Sequence, residues 1–398
     1  MRILDVYING YRSLANVRWQ PGRLNVLIGP NGSGKSNVLR ALQTISTAAM
    51  GGLSKQVQRD GGMERLVWDG QKEDIAVRVK MSPADETRDE IRDSLTYELE
   101  LDRIGKSSSY RIEQELLGNF YKVESGNAHQ PFKLLERTPN NAVVFDPQER
   151  GLRANEEDLD EAETLLSVAG GPLSANNYVR EFRKGLLEWT IYEDVHTNRD
   201  AEIRQAAVTR NESTVEPSGQ NLISVLHTLY STDREFKNEL NLAMKAAFGD
   251  EFEELVFPPA ADQRVQLRVR WKSLRREQSA ADLSDGTLRF LFLIAVLANP
   301  NPPTLIAIDE PESGLHPSML PIVAEYARDA SLRSQVILTT HSPEFLDAFG
   351  KEPPSTVVVD WRDGMTSLNP VSGEKLEYWL KQYTLGELFS SNELEAMQ

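Results

Sequence analysis

The eight residues Gly29-Pro30-Asn31-Gly32-Ser33-Gly34-Lys35-Ser36 constrain this chain more than any other stretch. They follow a short aliphatic run, Leu24-Asn25-Val26-Leu27-Ile28, and precede a segment where Val38, Leu39, Leu42 and Ile45 recur at helical spacing. The reading is therefore strand, loop, helix. Glycines let the backbone wrap so that successive N–H groups face an anion, and the helix N-terminus adds its partial positive charge. The string fits G-x-x-x-x-G-K-[ST], a cradle for a nucleoside triphosphate. Lys35 would reach the β- and γ-phosphates, and the Ser36 hydroxyl would ligate Mg²⁺. Gly29, Asn31, Gly32, Ser33 and Gly34 would supply the rest of the cradle.

Length and composition narrow the class further. The chain has 398 residues, with 44 Lys and Arg against 60 Asp and Glu, a net charge of −16. That length allows two or three domains and a sizeable core. There is no cysteine, which removes disulfides, thiolate metal sites and cysteine nucleophiles. No apolar run approaches the roughly 20 residues needed to span a bilayer. The start, MRILDVYING, lacks the pattern of a signal peptide, so a cytoplasmic protein without membrane attachment is expected. Overall acidity argues against indiscriminate nucleic-acid binding. The charge is uneven: residues 1–50 carry six bases and one acid, net +5. Residues 300–398 carry six bases and fifteen acids, net −9, which leaves −12 for the remainder.

Strand-like and helix-like segments alternate at both ends of the chain. Arg2–Ile8 and Arg23–Ile28 read as strands bounded by turn residues. Residues 73–117 alternate in period two, as antiparallel strands with one buried face do. Residues 151–249 read as mainly helical, with an acidic run at Glu156–Glu163 and an aromatic-rich stretch, Phe182–Tyr192, expected to be helical core. Arg264–Lys272 returns to strict alternation. From residue 284 onward helices and strands succeed one another, which implies a largely parallel, helix-covered sheet.

That second half carries the remaining chemistry. Thr304–Ile308 reads as a buried strand ending in Asp309 and Glu310. Beside a nucleotide, two adjacent carboxylates have separable tasks: Asp309 would hold the Mg²⁺ shell, and Glu310 would polarise the attacking water as general base. A solvated strand-to-loop turn is the plainer alternative. The strand Gln335–Thr340 ends in His341, at the same sheet edge, where open α/β sheets bind ligands. That placement suggests a histidine that senses the γ-phosphate, although a lone strand-end histidine can be purely structural.

Taken together, these strings resemble ABC-type ATPases of the SMC/RecF/OLD-like branch, as found among bacterial AAA-family ATPases. Gly29–Ser36 looks like a Walker A motif, Leu305–Glu310 like Walker B, and His341 like a switch histidine. Leu283-Ser284-Asp285-Gly286-Thr287 resembles the L-S-x-G signature, and Glu312-Ser313-Gly314-Leu315-His316-Pro317 the D-loop. The opening Tyr11-Arg12-Ser13-Leu14 is similar to the start of that branch. The likeness covers residues 1–50 and about 220–380 well, and the middle poorly. It implies an α/β P-loop head with a mixed sheet, an antiparallel β subdomain and a helical insertion. It also implies ATP and Mg²⁺ as cofactors, and a homodimer in which Ser284 and Gly286 of one head cap the phosphate bound by the other. Asp285 departs from the glycine common at its position, and puts an acid near that phosphate. A Q-loop glutamine is not singled out among Gln56, Gln58 and Gln71.

The expected division is an N-terminal ATPase lobe at 1–150, a helical insertion at 151–250 and a C-terminal ATPase lobe at 251–398. The gap between Ser36 and Leu283, about 250 residues, is too long for a transporter nucleotide-binding domain. It also holds no heptads for a coiled coil. Only 57 residues follow His341, too few for a Toprim nuclease domain, so any nuclease effector is expected on a separate chain. The resemblance suggests a DNA-linked task such as repair or anti-phage defence, or a slow ATPase that gates a separate nuclease or toxin. Arg268, Arg270 and Lys272, extended by Arg275 and Arg276, could contact a DNA backbone. A strand face solvated or neutralised by acidic neighbours competes with that reading.

Overall fold

The computed structural model describes residues 1–68, 72–85, 87–90, 92–105, 107–120, 132–148, 151–154, 160–171, 176–350, 352–371, 380, 383–391 and 393. Gln71 and part of the acidic run (156–159) lie outside these residues. Two compact units emerge, each assembled from separated stretches of chain. The first comprises Met1–Gly22, Gly29–Trp189 and Val358–Asn369; the second comprises Arg23–Ile28, Thr190–Val357 and Pro370–Gln398. The sequence reading had drawn three consecutive segments.

The first unit is built on an eight-stranded antiparallel sheet. Its order is Leu14–Trp19, Ile3–Tyr11, Asp74–Met81, Leu95–Arg103, Tyr110–Asn119, Phe132–Thr138, Asn141–Asp146 and Gly151–Ala154. Register lines up one apolar file across it: Val6 opposite Val79, Val79 opposite Tyr97, Tyr97 opposite Leu117, and Leu117 opposite Leu135. All five are buried. Period-two alternation thus puts one face of the sheet into a core. Helices Lys35–Met50 and Asn177–Leu187 pack on each other and bury Val38, Leu42 and Ile45 from one and Val179, Phe182 and Leu186 from the other. Phe182 meets Tyr97 with ring centroids 6.0 Å apart.

One carboxylate inside this core is fully buried. Glu115 accepts from the Tyr97 hydroxyl at 2.9 Å and from the backbone N–H groups of Leu165 and Leu166 at 2.6 and 2.9 Å. It thereby satisfies the open start of the helix Leu165–Ala169. Burial pushes its carboxyl above the usual range, against the lowering pull of those hydrogen bonds.

The second unit carries strands in the order Trp189–Tyr192, Leu305–Ile308, Gln335–Thr340 and Leu24–Ile28, the last three running parallel. Ile308 lies opposite Leu338, and Thr340 opposite Ile28, so the carboxyl ends share one edge. The strands Leu305–Ile308 and Gln335–Thr340 are buried at every position, as expected of a sheet covered on both faces. The helix Asp285–Leu297 is apolar all round and buried from Thr287 onward except at Arg289. Helices Leu222–Thr232, Arg234–Phe248 and Leu320–Ser331 pack against it. Among the described residues, no helix is long and apolar enough to cross a membrane.

The structure departs from three local expectations. The stretch Phe182–Tyr192 is not one helix: the helix ends at Leu187, and Trp189–Tyr192 is a strand buried at all four positions. Aromatic and β-branched side chains favour the pleated surface there over continued helix. Nor is residues 264–272 one strand. Arg264–Val265 pairs with Ala207–Val208 and Pro259–Ala260, whereas Arg268–Trp271 pairs with Phe252–Val256 and Gln278–Ser279. The ladder breaks at Gln266 and Leu267 because the two halves serve different sheets. Helix also covers only part of residues 151–249; the segment between Leu187 and Leu222 is mostly irregular, with two short strands.

Candidate functional site

The phosphate loop lies in the first unit, between the strand Leu24–Ile28 and the helix Lys35–Met50. Gly32 and Gly34 have φ of +82° and +101°, where side chains are strained. A Cβ on Gly29 would come within 2.1 Å of the Val359 carbonyl oxygen, and one on Gly34 within 2.1 Å of Thr366 Oγ1. Thr366 donates to the Ser33 carbonyl at 2.8 Å and shares a hydrogen bond with the Ser13 hydroxyl at 2.7 Å. Ser13 also accepts from the Asn37 side chain at 2.8 Å. The opening Tyr-Arg-Ser turn and a hairpin threonine more than 300 residues away thus brace the loop together. Nothing local in the sequence pointed to Thr366.

Inside the loop, the buried Lys35 ammonium donates to the Gly29 and Pro30 carbonyls at 2.7 and 3.0 Å. The Ser33 hydroxyl is buried and has no hydrogen-bond partner among the described residues. Asn31 and Gly32 are exposed, and Ser36 is half-buried. The loop therefore offers a cation, a spare hydroxyl and an open rim, which suits a bound polyanion.

The acidic strand end lies in the second unit. Asp309 follows Ile308; its N–H donates to the Tyr192 carbonyl at 2.8 Å, and its carboxylate accepts from the Thr339 hydroxyl. Glu310 has φ of +46°, a left-handed conformation costly for a residue with a Cβ. Four contacts hold it there. Its N–H donates to Thr339 Oγ1 at 3.1 Å, and its carbonyl accepts from Arg289 Nη2 at 2.9 Å. Its carboxylate accepts from Ser313 Oγ at 3.2 Å and from His341 Nδ1 at 2.9 Å. Backbone strain retained by so many partners is typical of positions where a side chain must be aimed. The structure thus brings Asp309, Glu310 and His341 together.

Glu312, two residues on, is buried, and the Thr340 hydroxyl donates to it. Burial raises its carboxyl above the usual range, opposed by that hydrogen bond. Burial also lowers the Arg289 guanidinium, which Glu312, Asp194, Glu310 and Asp309 pull back upward. Among the described residues, no cluster of three or more His, Cys, Asp or Glu could hold a metal ion. Magnesium does not need one. It keeps several waters and takes one or two protein oxygens plus phosphate oxygens, so the hydroxyl of Ser36 and the carboxylate of Asp309 are donors of the right kind.

The signature-like turn lies in the same unit as the acidic strand end. Ser284 is the N-cap of the helix Asp285–Leu297, accepting from the Thr287 N–H at 3.1 Å. A Cβ on Gly286 would lie 2.7 Å from the Gly314 carbonyl oxygen, so the turn packs closely on the D-loop-like segment. Asp285 forms an ion pair with Arg204, a residue the sequence had not singled out.

In the basic stretch Arg268 and Arg270 are met by acids, whereas Lys272, Arg275 and Arg276 are exposed beyond the strand. Arg270 is paired with Glu254 and, at 2.7 Å, with Glu277. Arg268 reaches Glu277 at 3.9 Å and hydrogen-bonds to the Gln266 side chain at 2.9 Å. Neutralisation by acidic neighbours is what the ladder produces, because Glu254 stands opposite Arg270 in register. Of the glutamine candidates, Gln56 is buried and donates to Thr44 Oγ1 at 3.2 Å.

Parallel strands, a glycine loop opening a helix, and helices enclosing an apolar signature-type helix define the ABC-type head of P-loop ATPases. The chain belongs to the family described as "AAA domain, putative AbiEii toxin, Type IV TA system", matched over residues 24–347. Similar solved structures are heads of SMC proteins. One, an SMC head bound to the C-terminal winged-helix domain of ScpA, superposes with a TM-score of 0.56 at 16% identity, covering 95% of this chain and 100% of the other. A second, an SMC head with an extended coiled coil bound to the C-terminal domain of ScpA from Pyrococcus furiosus, gives 0.57 at 15% identity, with 96% and 98% covered. At such identity the likeness is one of fold. No curated protein matches in sequence.

Proposed function

We propose that this protein binds ATP with Mg²⁺, pairs with a second copy around the nucleotide, and hydrolyses it. The observation that carries the reading is Glu310: a carboxylate in a left-handed backbone conformation, 2.9 Å from His341 Nδ1, at the carboxyl edge of parallel strands one of which runs into the phosphate loop. In this reading Lys35 and the loop N–H groups hold the β- and γ-phosphates. Ser36 and Asp309 hold Mg²⁺, which supplies charge neutralisation between the phosphates. Glu310 takes the proton of the attacking water, and His341, bonded to it, orients that carboxylate towards the γ-phosphate. Ser284 and the N–H groups around Gly286 cap the phosphate held by the second copy.

The test is complementation. Lys35→Ala and Ser284→Arg should each be inactive alone, yet a mixture should regain ATPase activity, because a mixed pair contains one complete site. ATP-dependent pairing should be visible by light scattering with Glu310→Gln. A mixture that stays inactive, with the chain monomeric in ATP, rejects the paired head.

The family description names a putative toxin of a toxin–antitoxin system, and the second reading is a slow ATPase that gates a separate nuclease or toxin. A DNA-linked task gains no support from Arg268 and Arg270, whose charges are met by Glu254 and Glu277. ATPase rates with and without DNA at two salt concentrations separate the two, since phosphate contacts carry a steep salt dependence.

A further inference from the structure

We propose that Arg204 is the positioning residue of the signature-like turn, holding Ser284 and Gly286 in place for a phosphate and cancelling the charge of Asp285. The inference rests on the paired-head reading and deepens it. Asp285 is the awkward residue of that turn, since an acid there faces an incoming polyphosphate. Its side chain is 67% exposed, so solvent alone leaves its charge in place. The Arg204 side chain is only 6% exposed, and its guanidinium pairs with the Asp285 carboxylate through Nη2.

The remaining donors of Arg204 are spent on main-chain oxygens. Nη1 donates to the carbonyls of Ala280, Ala281 and Leu283, at 3.2, 3.3 and 2.6 Å. Nε donates to the carbonyls of Thr197 and Asn198, at 2.7 and 3.1 Å. The turn needs such help, because Ala280–Asp282 is a single 3₁₀ turn and Leu283 is extended before the cap at Ser284. The Ala280 and Asn198 carbonyls also accept the N–H groups of Leu283 and Ala201, and it is at the buried residues Ala280 and Leu283 that an unmet carbonyl would cost most. A planar fork of five N–H donors is the one side chain that can satisfy several carbonyls and a carboxylate at once. A short helical turn, Glu202–Arg204, delivers it from the segment between the strand Trp189–Tyr192 and the helix Leu222–Thr232. The ligand served is the terminal phosphate of ATP held by a second copy.

Arg204→Ala should lower the ATPase rate at least tenfold while leaving the affinity of the single chain for ATP unchanged, because that affinity resides in the Lys35 loop. Mixed with Lys35→Ala, it should regain activity, on the order of a quarter of the wild-type rate, since half the pairs are mixed and each holds one complete site. Arg204→Lys keeps a charge near Asp285 without the fork and should give an intermediate rate. It also replaces the alanine variant in the mixing experiment if thermal melting shows that variant to be unfolded. Recovery in the mixture and retained ATP affinity support the proposal. It is overturned if the Ser284→Arg mixture recovers and the Arg204 mixture does not. Full activity of Arg204→Ala, or loss of ATP affinity in a folded Arg204 variant, overturns it equally. Failure of both mixtures, with a wild type monomeric in ATP, removes the paired head and this proposal with it.

Discussion

The phosphate loop and the acidic strand end reach their geometry by different means. In the loop the main chain does the shaping: Gly32 and Gly34 take φ values that other residues resist, and neighbouring atoms leave no room for a Cβ at Gly29 or Gly34. At the strand end side chains do the shaping. Glu310 is held in a left-handed conformation by Thr339, Arg289, Ser313 and His341, drawn from its own loop and two other segments. A loop of the first kind is written in eight consecutive residues. A site of the second kind is distributed along the chain, and one substitution far away can disturb it.

The largest effect should come from the chemistry of the second region. Glu310→Gln keeps the shape and the contact with His341 but removes the base. Loss of general-base catalysis lowers rates by roughly 10²- to 10⁴-fold, so kcat should fall within that range while ATP still binds. A Glu310→Gln enzyme turning over at the wild-type rate would show that the strand end is a solvated turn. Gly34→Ala breaks the first region instead. Its methyl group would overlap Thr366 Oγ1 in a conformation that disfavours any Cβ. Strain of about 1–3 kcal/mol corresponds to roughly a 5- to 150-fold loss of affinity, measurable as ATP dissociation by calorimetry. Unchanged affinity would mean that the loop reshapes freely and that glycine there is not required.

The two regions differed in the same way in how readable they were. The loop, the strands around it and the parallel order of the second half followed from local patterns, because glycine placement and apolar periodicity act within a few residues. Asp309, Glu310 and His341 were legible as strand ends, since a buried run must stop where polar residues begin. Their supports were not. Thr366 beneath the loop, Arg289 behind Glu310 and Arg204 beside Asp285 reach their partners across 21 to 333 positions of chain, as the bonds Arg289 to Glu310 and Thr366 to Ser33 mark. A lone arginine or threonine carries no local sign of such a bond. The pairing of the basic strand was hidden for a related reason: alternation shows which face Arg268 and Arg270 occupy, but Glu254 comes from a neighbouring strand and Glu277 from the residue before another.

Arg289 gives a sharper probe of the distributed region. Arg289→Met keeps the apolar bulk in the helix and deletes the hydrogen bond to the Glu310 carbonyl. A hydrogen bond from a charged donor contributes about 1.5–3 kcal/mol, and part of that is recovered by water, so kcat should drop roughly tenfold. Because the loop is untouched, KM should hardly move. Arg289→Lys should restore part of the rate. A change confined to KM would place Arg289 in nucleotide binding rather than in aiming Glu310.

The smallest effect concerns stability, and its sign follows from burial. Glu312 has its carboxyl raised above the usual range, chiefly by desolvation, so the folded chain holds that proton more tightly than the unfolded chain. Its contribution to stability is fully present below the ordinary carboxylate range and is lost as pH rises through the raised folded value. Glu312→Gln removes the buried charge while its amide oxygen still accepts from Thr340. The variant should therefore melt above the wild type at neutral pH, and the gap should close as pH falls into the ordinary carboxylate range. A gap that widens in acid would show that the Glu312 carboxylate is held by favourable charge contacts, Arg289 among them, and that the strand end is stabilised rather than strained by its acids.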